Sequence, residues 1–171
     1  MNDQRKTDWV RSALERHESS LLRYAASITG DADRARDIVQ DTFVRLCAEE
    51  PAKLDGRLAE WLFTVCRNRA LDVLRKEKRM TPLTEMDLEV RASEEPSPAM
   101  AAEKKETATQ LLQLVGSLPP NQCEAIRLKF QGGLSYAEIS QVTGHSVTNV
   151  GFLIHTGIKT LRQKMNATGK V

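Results

Sequence analysis

The sequence predicts an all-α protein built from two small helical domains joined by a flexible acidic linker. Only 5% of the 171 residues are aromatic, and the 9 glycines and 6 prolines are too few for a fold made of many strands and turns. Apolar residues recur at three- and four-residue spacing, which is typical of helices. Residues 1–80 and 106–171 are net basic, whereas residues 81–105 carry 3 basic and 6 acidic side chains. The predicted domains therefore span residues 7–80 and 106–168.

The N-terminal domain is predicted to contain three helices. They run from about Thr7 to Thr29, from Asp31 or Asp33 to about Glu50, and over residues 58–79. The second helix has one apolar face, and its opposite face is polar apart from one valine. That polar face consists of Asp33, Asp37, Gln40, Asp41 and Val44. This face can be a solvated surface, in which ion pairs such as Asp33–Arg36 explain the carboxylates. The alternative is an interface, which a valine among the carboxylates fits slightly better.

The third predicted helix ends in a cluster of cations. Trp61, Asn68 and Arg75 recur every seven residues, so an aromatic ring, an amide and a cation share one face. An aromatic platform beside cations can bind single-stranded nucleic acid, because bases stack on the ring while cations follow the phosphates. A basic helix end that complements its own dipole, with Trp61 in the core, explains the same residues equally well. The residues alone leave both interpretations open.

The C-terminal domain contains a predicted helix–turn–helix. Ser135 and Glu138 form a capping box that begins one helix, and Gly144 supplies the left-handed residue that ends it. Ser146 caps a second helix. The apolar residues of this second helix are Val147, Val150, Ile154, Ile158 and Leu161. Two short helices joined in this way form the unit that places its second helix in the major groove of DNA.

Several classes of protein are disfavoured. Cys47, Cys66 and Cys123 each lie in apolar-periodic segments, so we expect reduced cysteines of the core. The three histidines lack metal-ligand spacing, and we expect no metal and no cofactor. The sequence has neither a run of about 18 apolar residues nor a signal-peptide core, so a cytoplasmic protein without membrane insertion is expected. Tyr24 and Tyr136 follow helical core patterns and no clustered carboxylates could hold metal, which argues against a DNA-cleaving recombinase.

Two pairs of motifs carry a resemblance to a known family. The stretches Asp37–Leu46 and Trp61–Arg75 resemble conserved region two of bacterial sigma factors. Leu118-Pro119-Pro120 and the helix–turn–helix from Leu134 to Leu161 resemble region four of the same family. The missing middle region and the short linker are similar to the extracytoplasmic-function group. This resemblance implies a promoter-specificity subunit of RNA polymerase, which is not an enzyme.

The resemblance also implies three binding surfaces. The polar face of the second helix, defined above from Asp33 to Val44, would dock on the clamp helices of core RNA polymerase. The third helix would capture the melted strand of the downstream, minus-ten promoter element through Trp61, Arg67, Asn68, Arg75, Lys76 and Arg79. Region four would hold duplex DNA of the upstream, minus-thirty-five element through Ser146, Thr148, Asn149, Phe152, His155 and Lys159. The linker would thread toward the RNA channel of the polymerase, and a regulator such as an anti-sigma protein would be a further partner.

This chain departs from the family pattern in two helices, the clamp-binding helix and the recognition helix. Arg34 and Arg36 stand where relatives usually begin the clamp-binding helix with acidic residues, so we expect them to neutralise Asp33, Asp37 and Asp41 in part. The recognition helix offers few cations to phosphates, since only a histidine and a lysine precede Arg162. Phosphate contacts dominate affinity for duplex DNA, so weak binding by region four is expected.

An alternative function follows from the second departure. A helical transcriptional adaptor would use its C-terminal domain mainly to dock protein, through Phe152 and Leu153, and would read little DNA. Transcription that depends on polymerase distinguishes the two functions.

Overall fold

The predicted all-α fold is confirmed. The structure, a computed structural model, describes residues 2–80 and 103–167, and every regular element within these two ranges is helical. Most of the predicted linker, residues 81–102, lies outside the described residues. The prediction of a flexible acidic segment concerns this part of the chain.

Three long helices form the N-terminal half. Helix α1 spans Asp3–Thr29, α2 spans Ala32–Cys47 and α3 spans Leu58–Met80, with a 3-10 turn at Pro51–Leu54 between the last two. Helix α1 begins about one turn earlier than the sequence predicted. The reason is a cap: the Asn2 side chain accepts a hydrogen bond from a backbone amide of the first turn.

Two residues fix the turn between α1 and α2. Gly30 adopts the left-handed conformation, with φ 71°, and its N–H donates to the carbonyl of Ala26. The carboxylate of Asp31 accepts hydrogen bonds from the backbone N–H groups of Asp33, at 2.9 Å, and Arg34, at 3.3 Å. These caps satisfy backbone groups that the helix ends would otherwise leave unpaired. They also join α1 to α2, which packs against it, by a very short connection.

The C-terminal half is made of shorter helices. Helix α4 spans Glu103–Gly116, and α5 spans Pro120–Ile126 and runs on into a π-helical turn, Arg127–Gln131. Helix α6 spans Tyr136–Thr143 and α7 spans Val147–Ala167. Helices α6 and α7 are the predicted helix–turn–helix.

The sequence signals of the helix–turn–helix are confirmed at the level of single hydrogen bonds. Ser135 Oγ accepts from the N–H of Glu138 at 3.1 Å, while the Glu138 carboxylate accepts from the N–H of Ser135 at 2.9 Å. Gly144 ends α6 with φ 83°, and Ser146 Oγ accepts from the N–H of Asn149 at 3.0 Å. The turn geometry is therefore encoded locally.

One apolar core continues through both halves of the chain. Helix α3 packs against α1 and α2 and also against α6. The side chains that are almost completely buried in this core include Leu21, Leu46, Leu62, Phe63, Leu128, Leu134, Ile139 and Ile154. The two predicted domains are thus in direct contact. A second, smaller cluster joins α4, α5 and α7 through Val115, Leu118, Ile126 and Leu161.

Some residues predicted to be buried are not. Cys47 is exposed because α2 ends there, beyond its last packed turn, whereas Cys66 is fully buried and Cys123 is partly buried. Burial raises the pKa of the Cys66 thiol to about 12. Val147 is also exposed, since it begins α7 ahead of the first packed turn of that helix.

The two glycines inside α7 differ in their surroundings. A Cβ added at Gly157 would lie 2.4 Å from Ile126 Cδ1 and 3.6 Å from Gln122 Cβ, so the absence of a side chain lets α7 approach α5 closely. A Cβ at Gly151 would meet Tyr136 only at an ordinary 3.5 Å. Gly157 is therefore needed for helix packing, whereas Gly151 lowers helix propensity without such a compensation.

We predict opposite effects of alanine at these two positions. Gly151→Ala should raise the free energy of unfolding by about 0.5–1 kcal/mol through helix propensity. Gly157→Ala should lower it by about 1 kcal/mol, because the cost of overpacking against Ile126 exceeds the gain in propensity. Urea denaturation measures both.

The control removes the clashing atom. In an Ile126→Val background, which lacks Cδ1, Gly157→Ala should no longer destabilise the protein relative to Ile126→Val alone. Equal stabilisation by alanine at both glycines would show that the close approach of α5 and α7 does not matter.

Candidate polymerase and nucleic-acid interfaces

The outward face of α2 is a mixed acidic and apolar surface. Asp33, Asp37 and Gln40 are exposed, Asp41 is about half exposed, and Val44 is 67% exposed. The five residues predicted for this face therefore lie together at the surface, and the apolar side of the same helix is buried against α1 and α3. An exposed valine in such a surface costs hydration free energy unless a partner covers it.

An ion pair reaches this face from α3. Arg69 Nε lies 3.0 Å from Asp41 Oδ2. This contact explains why α3 carries a charged residue, Arg69, on the side that faces α2. Asp41 thus pairs across helices with a residue of α3. The side chain of Asp41 is 46% exposed, so solvent screens the pair and the carboxylate stays accessible.

The two arginines at the start of α2 behave differently. Arg36 Nη1 lies 3.7 Å from Asp33 Oδ1, as the sequence predicted. The prediction for Arg34 was wrong: its guanidinium pairs with Asp31, at 3.7 Å, and with Glu77 of α3. It turns away from the carboxylates further along α2 because α3 presents an acidic partner. Of the two arginines, only Arg36 therefore pairs with a carboxylate of the outward face.

The basic end of α3 presents an exposed polar surface. Asn68, Arg75, Lys76 and Arg79 are all exposed. Arg75 lies 3.5 Å from Asp72, a surface pair that solvent weakens. Trp61 is half-buried and packs against the core, so one part of the indole is anchored while the rest remains accessible. The packing of Trp61 agrees in part with the core interpretation, and its role in binding a base stays a prediction.

Arg67 does not belong to this surface. Its Nε donates a hydrogen bond of 2.9 Å to Glu124 Oε1 on α5, and both side chains are only 23% exposed. At 100° per residue, Arg67 and Asn68 point in different directions from α3. Glu124 was not predicted as a partner of Arg67, because a pair between residues 57 positions apart leaves no local pattern in the sequence.

Apolar contacts between the two halves of the chain surround this ion pair. The Phe63 ring lies 5.5 Å from that of Tyr24, between ring centroids, and a Cβ added at Gly132 would lie 3.2 Å from Phe63 Cζ and 2.7 Å from the carbonyl oxygen of Leu128. Burial raises the pKa of Tyr24, the charge of Glu124 raises it further, and Arg67 opposes the shift. Tyr24, Phe63, Arg67, Glu124 and Gly132 therefore meet where the two halves of the chain touch.

The recognition helix α7 has one continuous exposed stripe. Thr148, Phe152, His155 and Lys159 recur at spacings of four, three and four residues and are all exposed, Phe152 to 64%. Ser146 and Asn149 have a local role instead. Ser146 caps the helix, and Asn149 is partly buried with its side-chain nitrogen 3.3 Å from His145 Nδ1. Two of the six residues predicted for this surface thus shape the turn.

Within residues 2–80 and 103–167, no group of three or more His, Cys, Asp or Glu side chains is arranged to hold a metal ion. No helix in the described part of the chain combines the length and the hydropathy that crossing a bilayer requires.

Comparison with known proteins identifies the family of this fold. The family model for sigma-70 region 2 matches residues 13–80, and the model for sigma-70 region 4 matches residues 108–161. The sigma factor EcfG of Rhodopseudomonas palustris is 30% identical over 162 residues, which cover 94% of this chain and 85% of that protein. The chain belongs to the extracytoplasmic-function group of RNA polymerase sigma factors. Sigma factors are regulatory subunits that bind core polymerase and promoter DNA, and they are not enzymes.

Other sigma factors of this group are similar over most of the chain. SigM of Bacillus subtilis is 29% identical over 150 residues, which cover 86% of this chain and 90% of that protein. SigE of Mycolicibacterium smegmatis is 30% identical over 151 residues, and this chain spans 58% of its length.

A solved structure shows the same fold. CnrH, in complex with the cytosolic domain of CnrY, superposes with a TM-score of 0.61 at 23% identity, covering 92% of this chain and 88% of that one.

Proposed function

We propose that this sigma factor engages polymerase and promoter through three separate surfaces: the outward face of α2, the exposed end of α3 and the stripe on α7. The observation that carries this proposal is that each surface is exposed on a helix whose opposite side is buried in the core. Such helices are fixed in orientation, so their outward side chains form preorganised contact surfaces. The protein would act in the cytoplasm, where polymerase is found.

The α2 face is the proposed contact with the polymerase clamp. Its residues are Asp33, Asp37, Gln40, Asp41 and Val44, as defined above. Exposed carboxylates would meet basic side chains and accelerate encounter, while Val44 would be covered on docking and contribute apolar burial. Arg36 pairs with Asp33 and Arg69 of α3 pairs with Asp41, so both reduce the charge of this face, whereas Arg34 is held by α3.

The end of α3 is the proposed contact with the melted strand of the downstream element. Asn68 can donate and accept hydrogen bonds to a base edge, and the partly exposed ring of Trp61 can stack on a base. Arg75, Lys76 and Arg79 lie toward the helix end, where they can follow the phosphates. Arg67 can join this set only after it leaves Glu124.

The stripe on α7 is the proposed contact with duplex DNA of the upstream element. Lys159 is its one permanent cation, so few phosphates would be neutralised and the salt dependence contributed by this surface would be small. Phe152 is 64% exposed and can contact a thymine methyl. The same exposure favours the second candidate, an adaptor that docks protein on this helix.

A regulatory protein is a further proposed partner. The structural neighbour CnrH was solved with the cytosolic domain of CnrY bound. In this chain, an apolar groove of about 240 Å³ between α4, α5 and α7 is lined by Leu111, Val115, Phe130 and Ile158, among others. An anti-sigma helix with an apolar face would fit such a groove.

The first prediction concerns strand capture. Asn68→Ala should reduce the rate of promoter opening by the holoenzyme about five- to a hundredfold, because a lost polar contact to a base is worth on the order of 1–3 kcal/mol. The thermal midpoint of the free protein should not change, since Asn68 is exposed. Gln113→Ala, at an exposed amide on α4, is the matched control. Normal opening by Asn68→Ala would show that this face does not read the strand.

A second prediction concerns the clamp face. Arg36→Glu should tighten binding to core polymerase, mainly through the association rate and most clearly at low salt, because it adds charge to the α2 face. Arg34→Asp should instead destabilise the fold, since it places a carboxylate against Glu77. Arg23→Glu, exposed on α1, controls for net charge. Weaker binding by Arg36→Glu would mean that this arginine itself contacts the polymerase.

The third prediction distinguishes DNA reading from protein docking by α7. In holoenzyme bound to promoter duplex, Lys159→Ala should lower the salt slope by about one. Phe152→Ala should weaken binding by about 1–3 kcal/mol without changing the slope, as expected for contact with a thymine methyl. Unaltered promoter binding by both variants would instead support the adaptor.

A further inference from the structure

Two charged residues of the N-terminal half stand at helix ends that disfavour their charge. Arg34 lies in the first turn of α2, and Glu77 lies in the last turn of α3. A helix carries partial positive charge at its N-terminus and partial negative charge at its C-terminus, so each residue by itself destabilises its helix end. The Arg34 guanidinium and the Glu77 carboxylate meet across the two helices. This pairing offsets the unfavourable position of both charges.

The last turns of α3 depend on contacts of this kind. Ala70 is fully buried and Val73 packs against the core, but the helix continues to Met80. Four exposed cations follow Val73 along the helix: Arg75, Lys76, Lys78 and Arg79. Like charges three and four residues apart repel each other on a helix, and helix ends fray. A contact with α2 at this end therefore opposes both effects.

Glu77 lies on the side of α3 opposite to the proposed DNA surface. Its side chain is only 17% exposed, and it turns toward α2. At about 100° per residue, it points about 180° away from Asn68 and about 160° away from Arg75 and Arg79. An anchor at Glu77 thus holds the helix from behind and leaves its opposite side accessible to a strand.

We propose that Arg34 and Glu77 are positioning residues for strand capture. Their ion pair fixes the last turns of α3 on α2, so that Arg75, Lys76 and Arg79 are held in place before the strand arrives. A preorganised surface loses less conformational entropy on binding than a frayed helix end does. This inference rests on the proposed contact of α3 with the melted strand, and neither Arg34 nor Glu77 itself touches DNA in it.

The proposal explains why an arginine stands at position 34, where an acidic residue is usual in the family. A carboxylate at this position would suit the N-terminus of α2, but it would face the carboxylate of Glu77. The two positions therefore have to change together if the contact is to be kept.

The first test measures hydrogen exchange in the free, full-length protein. Glu77→Lys should increase the exchange rate of the backbone amides of residues 75–79 about fivefold or more, because two cations then face each other. The helix dipole alone predicts the opposite result, since a lysine in the last turn stabilises the helix end. Slower or unchanged exchange would therefore overturn the anchor.

A charge swap and a control complete this test. Arg34→Glu together with Glu77→Lys keeps a pair of opposite charges and should return exchange to the wild-type rate or below it, because both charges then suit their helix ends. Glu15→Lys makes the same change of charge at an exposed position of α1 and should leave residues 75–79 unchanged. Continued fast exchange in the swapped protein would overturn the pair.

The second test measures strand binding by the holoenzyme at saturating sigma. The probe is a fluorescent single-stranded oligonucleotide with the non-template sequence of a promoter that the wild type opens. Arg34→Gln should weaken its binding about three- to tenfold and lower the salt slope by roughly 0.7 for each cation that no longer meets a phosphate. Arg34→Lys should retain most of the affinity, and Arg23→Gln, exposed on α1, should retain all of it. Equal binding by Arg34→Gln and the wild type would contradict the positioning role.

A double-mutant cycle separates positioning from general stability. Arg79→Ala should cost less affinity in the Arg34→Gln background than in the wild type, because Arg79 is already displaced there. Additive losses would mean that the pair stabilises the fold without positioning the cations. If Lys76→Ala and Arg79→Ala both bind the strand normally, the proposed contact of α3 with DNA fails, and the positioning role fails with it. The hydrogen-exchange rates then still decide whether the pair anchors the helix.

Discussion

Helix α3 is the constraint on which the rest of the structure depends. It packs against α1 and α2 on one side and against α6 on another. Its central residues are therefore almost wholly buried: Leu62, Phe63, Cys66 and Ala70. Only the side chains between these packed directions remain for solvent or a partner. Exposure of Asn68 and Arg75 is thus a geometrical consequence of burial elsewhere on the same helix. The burial of α3 thus determines in which direction the surface proposed to contact DNA faces.

The fold class and the local geometry could be predicted from the sequence because the signals for them are local. The capping box of Ser135 and Glu138, the left-handed Gly144 and the cap of Ser146 each act over three or four residues, and all three are present in the structure. Helix periodicity likewise placed Ile38, Val39 and Phe43 in the core. Patterns of this kind need no knowledge of the tertiary arrangement.

What the sequence could not predict are the contacts between distant elements. Arg34 was expected to act within α2, but its partner Glu77 comes from α3. Arg67 was expected to face DNA, yet it meets Glu124 from the other half of the chain. The helical wheel gives the direction of a side chain but not what lies there, and long charged side chains can reach partners in several directions.

The π-helical turn at Arg127–Gln131 has a consequence for how this chain tolerates change in length. A π turn holds one residue more than an α-helical turn, and that extra residue rotates everything after it. Here the rotation leaves Leu128 fully buried and Phe130 63% exposed, and it delivers Gly132 to Phe63. Deleting one residue from this turn would restore a regular helix and point a different side chain at α3. The register of the joint between the two halves thus depends on a single inserted residue, one that a comparison of composition or charge would overlook.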